Sequence, residues 1–65
     1  MYTQKQRLLA QCCRAYGMDK ENAMGVLALL KEEPNQDKML DWMSYNPSAN
    51  KQEVLETALQ IAGYK

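Results

Sequence analysis

Cys12 and Cys13 stand side by side in the stretch Leu8-Leu9-Ala10-Gln11-Cys12-Cys13-Arg14-Ala15-Tyr16, and they are the only cysteines in the chain. Neighbouring thiols serve as a redox couple, as metal ligands, or as two small apolar side chains. On a helix, adjacent side chains diverge by about 100°, so a vicinal disulfide would require a distorted peptide and is disfavoured. A metal centre needs two to four convergent ligands, and this chain has no histidine and no third cysteine. The reading that fits is a pair of small hydrophobes in a core stripe. The alternative is one exposed thiol, open to oxidation or to cross-linking two subunits.

Other chemistry lacks its parts too. Without histidine, a serine or cysteine nucleophile has no customary base. The carboxylates of Asp19, Glu21, Glu32, Glu33, Asp37, Asp41, Glu53 and Glu56 fall at helix caps and outward helical positions, which explain them without catalysis. Gly17, Gly25 and Gly63 are too far apart to form a phosphate-binding loop. A chain of 65 residues also struggles to enclose a substrate pocket and still keep a core. The expectation is a protein that is not an enzyme and takes no cofactor and no metal.

The elements behind these residues come from size and periodicity. With 46% apolar and 25% charged residues, the composition is globular rather than disordered. The length, 1–65, suits a single helical domain, near the lower limit at which one core yields only a few kcal/mol. Eight basic and eight acidic residues cancel, so no whole-molecule field steers the chain toward nucleic acid or an anionic membrane. The charges are unevenly spread, since residues 1–18 carry +3 and residues 19–65 carry −3. Two cysteines, no secretory signal and no long apolar run lead to the expectation of a soluble, cytoplasmic protein in a reducing compartment.

Four helical patterns follow one another. Thr3 and Gln6 have capping-box spacing, and Leu8, Leu9, Cys12, Cys13 and Tyr16 then form a stripe that Gly17 ends, with Met18 folding back over Cys13. Asp19 caps a second helix over Lys20 to about Glu32, with Ala23, Met24, Val26, Leu27 and Leu30 inward. Gly25 within it costs roughly 1 kcal/mol against alanine and marks either tolerance or a close helix crossing. Pro34 disfavours helix at Glu33, which makes Asn35 the expected cap of a third helix that Asn46-Pro47 stops. Asn50 and Glu53 open a fourth, carrying Val54, Leu55, Ala58, Leu59 and Ala62 and closed by Gly63, with Tyr64 placed to cover Leu59. The β-branched residues are scattered and never alternate. The fold class is all-α, a small bundle of four short helices around one core.

The third helix crowds Met39, Trp42, Met43 and Tyr45 into seven residues. An adaptable, methionine-rich face beside aromatics suits a protein partner, and these four are the candidate partner-binding residues. The alternative is an ordinary core stripe of Met39, Leu40 and Met43 anchored by Trp42. Trp42 stands about 160° from Leu40 on a helical wheel, so something must cover a second face, either the fourth helix or another copy of the chain.

A DNA-binding reading uses the second and third helices as a helix-turn-helix, with Asn35, Gln36 and Lys38 meeting base edges. Asp37 and Asp41 on the same helix, led by Glu32 and Glu33, would repel phosphates, so nucleic acid is disfavoured. The span from Tyr16 to Pro47 also resembles a ubiquitin-associated domain, through Gly17-Met18, Ala23, Leu27, Trp42-Met43 and Asn46-Pro47. That resemblance implies a binding surface at Gly17, Met18 and Met43. The chain departs from the family by a connection between the second and third helices about two residues longer, and by its fourth helix. The overall expectation is a small non-catalytic interaction or self-associating module, a homodimer included, with no membrane and no small-molecule substrate. A small helix-turn-helix-like DNA-binding regulator is the alternative.

Overall fold

Helix starts in this chain are set by side chains that take over backbone N–H groups the first turn cannot use. Thr3 Oγ1 accepts from the Gln6 N–H at 3.1 Å, while Gln6 Oε1 accepts from the Thr3 N–H at 2.7 Å, and this reciprocal pair opens α1 (Gln4–Ala15). Asp19 accepts from the Asn22 N–H at 2.8 Å and opens α2 (Lys20–Leu29). Asn50 and Glu53 repeat the reciprocal cap at 2.8 and 3.3 Å to open α4 (Lys51–Ile61). Each of these caps is worth roughly 1 kcal/mol.

The remaining helix, α3 (Glu33–Tyr45), corrects the expectation that Asn35 would cap it. Its cap is Glu32, in extended backbone, with Glu33 and Pro34 already helical. Proline has no N–H to donate, but in a first turn that N–H has no intrahelical acceptor, so the ring is tolerated there. The first helical bonds run instead from the Asn35 and Gln36 N–H groups to the Glu32 carbonyl, both at 3.1 Å. The second helix is correspondingly shorter than the expected Lys20–Glu32, because Leu30 leaves helical geometry at φ −100°, ψ 59° and turns its side chain fully into the core.

Two helices end in the same device. Gly17 takes φ +85° and Gly63 φ +93°. In α1 the Gly17 N–H reaches the Arg14 carbonyl and Met18 N–H reaches that of Cys13; in α4 Gly63 reaches Gln60 and Tyr64 reaches Leu59. These paired bonds are the Schellman closure, which needs a residue in the left-handed region and therefore favours glycine.

The computed structural model describes residues 2–64, which measure 28 × 23 × 21 Å and form a small all-α bundle of four helices, with no strand among the described residues. Helix α1 packs on α2 and α3, and α4 packs on the same two helices. The core holds Leu9 and Cys13 from α1, Ala23, Val26 and Leu27 from α2, Met39 and Met43 from α3, and Val54 and Ala58 from α4, with Met18 and Leu30 entering from the connections. Truncating one of the fully buried leucines to alanine costs about 2–5 kcal/mol, a large share of what so short a chain can hold. The close crossing considered at Gly25 is not there, because a Cβ built on it meets nothing within 4 Å.

Candidate interaction surface

The apolar stripes read from sequence are wider than the core can accept, and the surplus lies at the surface. Leu8 and Leu9 are adjacent, so they point about 100° apart. Leu9 is fully buried and Leu8 is 50% exposed. Met24, expected inward on α2, is 42% exposed, and Leu59 on α4 is likewise on the outside.

Leu8 forms the lip of a groove of about 410 Å³ between α1 and α3, lined by Cys12, Tyr16, Leu40, Met43 and Pro47 among others. Polar ties hold both ends of the α1–α3 contact. At the N-terminal end of the two helices, Lys5 Nζ bonds Asp37 Oδ1 at 2.7 Å and Glu33 Oε1 at 3.0 Å. Asp37 first and Glu33 second keep the Lys5 ammonium above its ordinary pKa. At the C-terminal end, the Tyr16 hydroxyl lies 2.8 Å from the Asn46 carbonyl and 3.2 Å from that of Met43, and the Asn46 amide donates to the Trp42 carbonyl at 2.8 Å. Starts tied to starts and ends to ends, α1 and α3 run side by side in the same direction. Burial raises the Tyr16 pKa, with the two cysteines adding to the effect.

The four residues singled out on α3 do not form one face. Met39 and Met43 stand four apart and point into the core, fully buried and 4% exposed, as an ordinary core stripe would place them. Met43 keeps only an edge in the groove floor. Trp42 is half-buried against the margin of the core, and Tyr45 is 77% exposed. Of the surface carried over from the ubiquitin-associated resemblance, Met18 and Met43 are interior, at 2% and 4% exposure, and Gly17 is exposed. Of the residues proposed to read DNA, Gln36 is buried and donates to the Leu30 carbonyl at 2.8 Å, while Lys38 is exposed.

The cysteines separate. Cys13 is fully enclosed, and burial first, then the neighbouring Cys12, pushes its thiol from 9.0 up to about 11. Cys12 is half-buried and lines the groove. Both are free thiols. Among the described residues, no three His, Cys, Asp or Glu side chains gather as a metal site would require, and no helix is long and apolar enough to cross a membrane.

What sequence reading missed is the groove itself. Its signal was the double leucine at Leu8-Leu9, which cannot both face one core, and the placement of Leu40 one residue after the buried Met39. Comparison of the chain with models of known protein families, with characterised proteins and with solved structures finds no match.

Proposed function

We propose that this chain is a small non-catalytic helical module that acts by contact with other protein surfaces, its own copies among them, and that it works in the cytoplasm, where its two free thiols stay reduced. The observation that carries the reading is Leu8, half exposed at the lip of an apolar groove between two helices that Lys5 and Tyr16 already tie together. A preformed apolar cleft with its polar atoms satisfied gains by covering and needs no chemistry to be useful.

Sedimentation over micromolar concentrations tests it. The expected result is a concentration-dependent mass that drops to that of a monomer in Leu8→Glu, whose charge lands on an exposed position and spares the fold. A strictly monomeric wild-type mass removes self-association. A salt-sensitive mobility shift on mixed DNA fragments would favour a DNA-binding regulator instead.

A further inference from the structure

We propose that the opposite flank of α1, where it meets α2, is a second docking surface, and that it receives an acidic amphipathic helix from a partner protein. The proposal rests on the reading of the chain as an interaction module and names the chemistry of one partner. A groove of about 330 Å³ runs between these helices, with Ala10, Met24 and Leu27 on its floor and Arg7, Arg14 and Lys20 around it. Arg7 and Arg14 are seven residues apart, so they share one face of α1 about two turns from each other. Met24 lies open beside Ala23 and Leu27, which are nearly covered.

The charge is one-sided. No carboxylate lines this groove, and Asp19 and Glu21, the acids nearest Lys20 in the chain, are not among the lining residues. Among the described residues the only ion pairs belong to Lys5, on the other flank of α1, so the three cations here have no acidic counterpart. An amphipathic helix laid along the groove would cover Met24 with its apolar stripe. Its flanking carboxylates, two turns apart, would stand opposite Arg7 and Arg14. Duplex DNA fits less well, because three cations supply few phosphate contacts and an apolar floor gives phosphates nothing.

The test uses the full chain labelled with ¹⁵N and a synthetic peptide of about three helical turns built from glutamate and leucine, with leucines at helical spacing. The expected result is amide shifts centred on Ala10, Met24 and Leu27, absent with a scrambled peptide of the same composition. The Arg7→Glu/Arg14→Glu double variant should weaken binding roughly tenfold, and Met24→Ala should weaken it as well. All three positions are exposed, and circular dichroism checks that the variants stay folded. Equal binding of the scrambled peptide would overturn the proposal, as would preferential binding of duplex DNA or of phosphatidylserine vesicles. Shifts centred on Leu8 and Leu40 would overturn the site and leave the module reading standing. No binding of any probe, together with a strictly monomeric chain, would overturn both.

Discussion

The side-chain amide of Gln36 donates to the carbonyl of Leu30 at 2.8 Å and also reaches that of Lys31 at 3.4 Å. Gln36 sits in the first turn of α3, and Leu30 is the residue on which α2 stops, so one amide satisfies the end of one helix from the start of the next. This explains why a glutamine is 3% exposed in a core otherwise apolar among the described residues. Gln36→Leu keeps the bulk and removes the donor, leaving a buried carbonyl unpaired. The expected cost is about 1–3 kcal/mol, read as a lower urea midpoint with an unchanged m-value. Gln36→Glu should be at least as damaging, because a carboxylate has no N–H to give and carries charge into the core.

The three glycines should respond to alanine with opposite signs. Gly25 lies exposed inside α2 with open space at its Cβ, so Gly25→Ala should stabilise by about 0.5–1 kcal/mol. Gly17 and Gly63 hold φ of +85° and +93°, where a Cβ is strained whatever space surrounds it, and alanine at either should destabilise by about 1–2 kcal/mol. Thermal unfolding of the three single variants checks the ordering, and a destabilised Gly25→Ala would show that a neighbour covers α2.

The contrast between those glycines and Gln36 also shows which parts of the fold were legible in the residues alone. The caps at Thr3, Asp19 and Asn50 and the turns at Gly17 and Gly63 join residues three to five apart, so residue type at fixed spacing carries their whole geometry. Lys5 with Glu33, and Tyr16 with Asn46, join residues 28 and 30 apart and leave no periodic trace. Pro34 was ambiguous for a different reason. The same ring that breaks a helix interior is neutral in a first turn, and its role depends on whether Glu32 or Asn35 is the cap. The α1–α3 groove escaped because a stripe of Leu8, Leu9, Cys12 and Cys13 gives the width of an apolar face but not which edge the neighbours cover.

Tyr16→Phe isolates the tie at the end of the α1–α3 contact. The ring stays and only the hydroxyl leaves, taking with it the bonds to the carbonyls of Asn46 and Met43. A loss of about 1 kcal/mol is expected, with chemical-shift changes at the Tyr45–Asn46 end of α3 and none at the Lys5–Asp37 end. An unchanged urea midpoint would mean that water replaces the hydroxyl without cost.

The buried thiol makes the last prediction, and it is one of pH. Cys13 loses its proton near pH 9.0 once unfolded but only at about 11 in the folded chain, because its burial penalises the thiolate. Between those values the unfolded state binds fewer protons than the folded one, so stability falls as pH rises, by up to about 1.4 kcal/mol per unit, and is flat in this respect below pH 9.0. Tyr16 shifts in the same direction from 10.0 and Lys5 from 10.5, so in the Tyr16→Phe chain the cysteine phase is the first to appear as pH rises, ahead of that of Lys5. In that background Cys13→Ala should lower stability at neutral pH through a small cavity and abolish the cysteine phase. A chromogenic disulfide reagent gives an independent reading. At pH 8 the native chain should release one equivalent quickly, from the half-buried Cys12, and the second only at the rate of unfolding. Two equivalents released together from the native chain would show that Cys13 is not enclosed.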